Sequence, residues 1–161
     1  MLAVIAGTLL LAALFAIMVP LIANRVPLTA PPGLAARLTV YLGTNVALIA
    51  PDSRFAELRS PRFAATPREV AAAVADAARA IGFEQVAIDT TGARVTAVVS
   101  TPVLRFRDDV EVVVEQQVTG SVLLARSASR VGRGDLGANQ HHLQRLLAAL
   151  AERLEPLPAR P

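Results

Sequence analysis

Apolar residues are distributed along the chain as one continuous run followed by shorter periodic patterns. Residues 2–23 contain no Asp, Glu, Lys or Arg. As a helix rising ~1.5 Å per residue, this run would be about 33 Å long, which matches the ~30 Å hydrocarbon core of a bilayer. The pattern therefore predicts a transmembrane anchor over residues 1–24.

A cleaved secretory signal is the alternative interpretation of the same run. Such a signal has a basic segment followed by an apolar core of roughly 7–15 residues. Here no Lys or Arg precedes the run, and the run is longer than such a core. The chain has no Cys, which excludes a lipoprotein signal. These features favour an anchor that is not cleaved.

The region after the anchor is rich in proline. Residues 25–41 include Pro27, Pro31 and Pro32, which predict a stiff, non-helical connector. Residues 42–49 are then expected to form a strand or turn close to the membrane.

A helix is predicted over residues 67–81. Thr66 is a suitable N-cap, Pro67 fits the first helical position, and Glu69 can close a capping box. Gly82 supplies a helix stop. Apolar side chains follow at helical spacing at Val70, Val74, Ala77 and Ile81.

Alternating patterns then predict antiparallel strands at residues 85–89, 93–100, 110–114 and 121–129. A leucine stripe predicts a last amphipathic helix over residues 138–154. Antiparallel strands with one apolar face need a cover, which the two helices can supply. The expected fold class is α+β, an antiparallel sheet covered by two amphipathic helices, with the domain over residues 42–155. The proline-rich residues 156–161 are expected to be disordered.

Composition excludes some functions. The formal net charge is +3, every basic residue is Arg, and the Arg residues are scattered. Aromatic residues make up 4% of the chain and there is no Trp. Proteins that bind single-stranded nucleic acid use aromatic platforms along a basic groove, so a nucleic-acid partner is not expected.

A glycine motif lies between the last strand and the last helix. Gly132, Gly134 and Gly137 satisfy the G-x-G-x-x-G spacing of dinucleotide sites. Such a site needs the helix to lead into a parallel strand that carries an acid, and no strand pattern follows residue 154. Asp135 would also put a carboxylate where a pyrophosphate should lie. The motif therefore predicts a sharp strand-to-helix turn, and no cofactor is expected.

The stretch RSASRVGRGDLGANQHHLQRL, with RFRDDVEV upstream, resembles the signature of the bacterial and plastid domain-of-unknown-function 1499 family. The resemblance covers roughly residues 42–154. It departs from the family pattern at residues 44–47, which lack a Pro and a Ser, and at residues 140–142, where basic residues are usual. The matching positions are Phe106, Asp108, Asp109, Val110, Glu111, Arg126, Ser127, Ala128, Ser129, Arg130, Gly132, Asp135, Gly137 and Asn139. The resemblance implies a fold but no reaction.

A set of charged and amide residues is the candidate site: Arg126, Arg130, Arg133, Asp108, Asp109, Asp135 and Asn139. One interpretation is a structural ion-pair network across a hairpin, with Asp135 capping the last helix. The other is an anion site made of Arg side chains and a helix N-terminus. Catalysis is less favoured, because Asp108 and Asp109 are adjacent and point to opposite faces of a strand. No metal is expected, and His141 and His142 are expected to be exposed or packed at an edge.

These observations predict a membrane-anchored, non-enzymatic accessory or binding module, packed on a larger membrane complex. Small residues in the anchor, such as Ala6, Gly7 and Ala13, would permit close helix packing. A lipid- or anionic-ligand-binding domain is the alternative, and a hydrolase comes third. The expected partners are the lipid bilayer and that complex. The expected location is a bacterial inner membrane, crossed once, with the domain in the periplasm, although Arg25 and Arg37 after the anchor favour the cytoplasmic side by the positive-inside rule.

Overall fold

The computed structural model describes residues 1–100 and 106–158. Within these ranges an antiparallel sheet is covered by helices and preceded by one long apolar helix, which confirms the predicted α+β class. A short 3-10 helix, Ala56–Leu58, lies between the first two strands. The elements in chain order are α1 (Leu2–Ala23), α2 (Leu34–Gly43), β1 (Val46–Ile49), β2 (Arg62–Phe63), α3 (Pro67–Ala80), β3 (Glu84–Ile88), β4 (Arg94–Ser100), β5 (Arg107–Gln116), β6 (Ser121–Ser129) and α4 (Ala138–Ala151).

Helix α1 is the one helix, among the described residues, that is long and apolar enough to cross a membrane. It spans 22 residues, and none of its most apolar window is buried against the rest of the chain. Only its last turns contact the domain, where Leu21 is 1% exposed. The helix therefore has a free apolar length followed by an end that belongs to the folded unit.

Helix α2 corrects the expected connector at residues 25–41, whose second half is helical. The helix begins after Gly33, and Arg37 and Tyr41 lie one turn apart on its buried face. Residues four apart in a helix share a face. Arg37 is fully buried, and its charge is paired with Glu57 inside the protein, so this ion pair helps to hold the helix in place.

The sheet has the strand order β1-β6-β5-β4-β3, and β2 also pairs with β6. Every pairing is antiparallel, and β5 and β6 form the central hairpin, in which Val110 stands opposite Ser127. Both α3 and α4 pack on one face of this sheet, where the buried core lies. The other face carries charged pairs, Arg94 with Glu111 and Arg130 with Asp109, as expected of an antiparallel sheet with one solvated side.

Helices α3 and α4 follow the sequence patterns closely. Thr66 and Glu69 form the complete capping box at the start of α3, and Val70 and Val74 below it are fully buried. Helix α4 ends at Ala151 rather than at residue 154. Its leucine stripe faces the core through Leu143, Leu146, Leu150 and, at the margin, Leu147 and Leu154.

The proline-rich tail is described as far as residue 158. The backbone N–H of Leu157 donates to the carbonyl of Arg62 at 2.7 Å, which holds this part of the tail against the β2 strand. Residues 159–161 lie outside the described residues.

Candidate functional site

The glycine loop between β6 and α4 is packed against the end of the domain that adjoins α1. The N–H of Leu136 donates to the carbonyl of Tyr41 at 3.0 Å, and the side-chain amide of Asn24 donates to the carbonyl of Leu136 at 3.0 Å. A Cβ on Gly134 would overlap with the carbonyl oxygen of Leu42. Gly134 therefore allows close approach of the loop to the segment that follows α1.

Gly137 combines this close approach with a left-handed backbone, at φ +82°. A Cβ there would overlap with the side chain of Val26. The donors of the helix start are occupied by Asp135, whose carboxylate accepts from the N–H groups of Gly137 and Asn139, both at 2.9 Å. A carboxylate of the chain itself thus takes the position that a phosphate would take in a nucleotide loop.

Asn139 is the centre of a buried polar network. Its side-chain oxygen accepts from the Ser127 hydroxyl at 2.5 Å. Its side-chain NH₂ group lies within hydrogen-bond distance of Ser129 Oγ at 2.8 Å, the carbonyl of Asn45 at 2.9 Å and Asp135 Oδ2 at 2.7 Å. Both Asn139 and Ser127 are fully buried. The network joins the first turn of α4 to strands β1 and β6, and its polar atoms are engaged with one another.

The sheet hairpin carries an ion pair on its open face. Arg130 binds Asp109 through two nitrogens, with the shortest contact at 2.6 Å. The hydrogen bonds from Arg130 hold the pKa of Asp109 below its ordinary value, against a smaller opposing effect of burial. Both side chains are about half exposed. Arg126 lies on the same face, opposite Glu111 in the β5–β6 register.

Asp108 points the other way, into the core. It is 1% exposed, and its Oδ2 lies 2.9 Å from Nε2 of His142 on α4. His142 was expected to be exposed or packed at an edge; it is buried and meets the ring of Phe83 edge-on. Among the described residues, Asp108 Oδ1 and His142 Nδ1 have no hydrogen-bond partner.

The predicted site residues are therefore divided among four places. Arg126, Arg130 and Asp109 share the open face of the sheet, Asp108 lies in the core, and Asp135 and Asn139 form the polar network. Arg133 is exposed on the glycine loop. Of the three arginines, Arg126 and Arg130 lie on the open face of the sheet, and the donors at the start of α4 are bound by Asp135. No group of three or more His, Cys, Asp and Glu residues suited to a metal ion occurs among the described residues.

The sequence interpretation missed a second buried charge cluster, centred on Arg37. Its guanidinium binds Glu57 at 2.7 and 3.2 Å, the Tyr41 hydroxyl at 3.0 Å, and the carbonyls of residues 30 and 31. It also stands 4.7 Å from the centroid of the Phe55 ring. Gln140 of α4 donates to Glu57 at 2.8 Å. A single arginine four residues before a tyrosine in an otherwise apolar segment is the only sequence signal of this cluster.

The electrostatics of this cluster favour an ionised pair. Burial alone would raise the pKa of Glu57, but the hydrogen bonds and charge of Arg37 outweigh burial, and the pKa of Glu57 is lowered. For Arg37, burial opposes the charge, and its bonds to Glu57 and Tyr41 still raise its pKa. Arg37 and Glu57 therefore both keep their charges. Their ion pair joins α2 to the 3-10 helix.

A pocket of about 330 Å³ lies beside this cluster, between α2, β1 and the segment that leads to the 3-10 helix. We call it the α2–β1 pocket. Tyr41, Phe55, Leu58, Gly137 and Gln140 line it and are buried. Its exposed lining residues are Leu48, Asp52 and Arg54, which mark its mouth.

Comparison with known proteins identifies the family of the chain. Residues 35–150, most of the chain, match the family described as Protein of unknown function (DUF1499). The match begins within α2, so that this helix belongs to the family domain. None of the curated proteins compared with the chain matches it. The chain therefore belongs to the DUF1499 family.

Proposed function

We propose that this chain is a single-pass membrane protein whose domain acts as a non-enzymatic accessory or binding module, held against the bilayer on a larger membrane complex. The observation that carries the proposal is the end of α1. Leu21 is 1% exposed and packs in a cluster with Val26 and Tyr41, while the apolar length before it is unburied. A helix whose last turns complete the fold of the domain is suited to be a retained anchor.

The distribution of polar groups supports a binding role over catalysis. The Asn139 network and the Arg37 cluster bind their own members and lie inside the protein. The Asp108–His142 pair is buried to more than nine-tenths, and a general base has to reach its substrate within hydrogen-bond distance. The side chains capable of acid–base chemistry are thus the ones that hold the helices and strands together.

We place the anchor in a bacterial inner membrane and the domain on the periplasmic side. By the positive-inside rule, Arg25 and Arg37 favour the cytoplasmic side. Two positive charges are a weak topological signal, so they do not exclude the periplasmic side. A C-terminal alkaline phosphatase fusion tests the side directly, because that enzyme is active only after export. High phosphatase activity supports the periplasmic placement, whereas activity confined to a cytoplasmic reporter fusion would contradict it.

Anchoring is tested by washing membranes that contain the full chain with alkaline carbonate. We expect the chain to stay with the membrane pellet. Leu10→Arg should move much of it to the supernatant, because an Arg at the middle of a span costs about 2.5–3.5 kcal/mol. Val118→Arg is the matched control, since Val118 is fully exposed at a hairpin tip. Recovery of the unaltered chain in the supernatant would overturn the proposal.

A further inference from the structure

The α2–β1 pocket lies level with the end of the membrane span. Tyr41, which lines the pocket, packs against Leu21 of α1. Leu21 is two residues from the end of the helix at Ala23, so it lies about 3 Å below that end at ~1.5 Å per residue. A pocket that shares Tyr41 with this contact opens where the hydrocarbon core meets the lipid head groups.

Exposed leucines surround the same region. Leu34 and Leu42 of α2 are 50% and 47% exposed, and Leu48 at the pocket mouth is 51% exposed. Leu38 lies between the first two on the helix and packs beside the α1 end. Leu34, Leu38 and Leu42 recur at intervals of four, which places them on one stripe of α2. An apolar stripe next to a span is suited to lie in the membrane interface.

The chemistry of the pocket fits a lipid chain. Its inner wall is formed by the Tyr41 and Phe55 rings and by Leu58, with two polar side chains, Gln140 and Asp135, that are already bound to other groups of the chain. Its mouth carries one acid and one base, Asp52 and Arg54. Its volume of about 330 Å³ falls in the ~300–1,000 Å³ range of small-molecule sites, which are mostly apolar with a few polar groups. Arg54 is exposed, and its guanidinium can bind a phosphate by charge-assisted hydrogen bonds.

We propose that the α2–β1 pocket binds one acyl chain of a phospholipid from the leaflet next to the domain, with the head-group phosphate at Arg54. This proposal rests on the membrane anchoring proposed above. It names the ligand class of the binding module. The lipid would be held by the domain and the anchor together, since α2 contacts both.

Tyr41 provides the probe for this binding, because the chain has one Tyr and no Trp. The full chain in detergent micelles is titrated with a phospholipid brominated on its acyl chain, and bromine quenches tyrosine fluorescence only at short range. We expect saturable quenching at one lipid per chain. A brominated free fatty acid is titrated in parallel. Quenching by the fatty acid and not by the phospholipid would overturn the phospholipid source.

Variants locate the binding site. Leu48→Asp places a charge at the mouth and should raise the lipid concentration for half-maximal quenching at least tenfold. Ile88→Asp is the matched control, because Ile88 is 41% exposed on β3 at the far edge of the sheet, and it should bind like the unaltered chain. Ala47→Phe, which fills the pocket from β1, should act like Leu48→Asp.

The result that overturns the proposal is quenching that does not saturate, or saturates equally in Leu48→Asp and Ile88→Asp. Thermal unfolding of each variant shows whether it is folded, so that a loss of binding is not mistaken for a loss of structure. The carbonate wash gives a separate answer on anchoring. A chain that stays in the membrane but binds no brominated lipid would contradict the pocket proposal alone.

Discussion

Replacing Asn139 by alanine should destabilise the domain more than any exposed substitution on α4. The change removes the side chain that accepts from Ser127 and donates toward Ser129, the carbonyl of Asn45 and Asp135. A buried polar atom left without its partner costs about 1–3 kcal/mol. Ser127 is fully buried, and its hydroxyl loses its acceptor. The acceptors on Ser129, Asn45 and Asp135 are half-buried, so leaving them unpaired costs less free energy.

The expected loss in the free energy of unfolding for Asn139→Ala is about 2–5 kcal/mol, once a small cavity is added to the unpaired hydroxyl. For a chain of this length, each kcal/mol lowers the melting temperature by about 2–4 °C. The melting temperature should therefore fall by roughly 4–20 °C. Tyr41 fluorescence of the full chain in mild detergent follows the transition at a single known position.

A double-mutant cycle with Ser127→Ala identifies the cause. If the cost comes from stranding the Ser127 hydroxyl, removing both side chains should cost less than the sum of the single variants, with a coupling of about 0.5–3 kcal/mol. Gln144→Ala on the same helix is the control, and it should stay within about 0.5 kcal/mol of the unaltered chain. Additive single effects, or an Asn139→Ala variant as stable as the control, would refute the account of a coupled buried network.

Other parts of the site give predictions that the same melting assay can check. Gly137→Ala should cost more than about 1 kcal/mol, because its φ is positive and a Cβ meets a neighbouring side chain; Gly43→Ala, where a Cβ meets nothing, should be neutral or stabilising, and equal effects would contradict this explanation. Arg130→Ala should leave the melting temperature nearly unchanged because its ion pair with Asp109 is half exposed, and a clear fall in melting temperature would contradict this account. The pKa of Glu57 is lowered in the folded state, so its ion pair with Arg37 contributes its full stabilisation above about pH 4.5, the ordinary Glu value, and this stabilisation is lost as the pH falls through the folded pKa. Glu57→Gln should remove this part of the acid sensitivity. An unchanged dependence of the melting temperature on pH would contradict the assignment.

Much of the fold is predictable because it depends on local patterns. The start of α3 is determined by residues that are neighbours in sequence, Thr66 and Glu69, which cap the helix regardless of what it packs against. Alternation along β5 likewise separates Asp108 from Asp109, one buried and the other exposed. The apolar length of α1 is equally local, because it is one continuous run without charged residues.

The partners of these residues were less predictable, because they come from distant parts of the chain. Asp108 meets His142 only because of the way α4 crosses the sheet, 34 residues further on. Helix α2 was missed because the prolines before it predicted a non-helical connector, and the partner that allows Arg37 to be buried, Glu57, comes from a later segment. A buried charge is acceptable only when it is paired, and the pairing is a property of the tertiary structure.

The contact between the end of α1 and the domain limits how far the domain can move when α1 spans a bilayer, as proposed above. A free, flexible segment of the length of residues 24–33 would let a domain move over about 18 Å, from ~5–6 Å times the square root of ten residues. Here Asn24, Val26 and Tyr41 are bound within the fold, so an anchored domain would keep one height and one orientation relative to the bilayer. A partner in the same membrane would then lose less orientational freedom on binding, because most of that freedom is already absent.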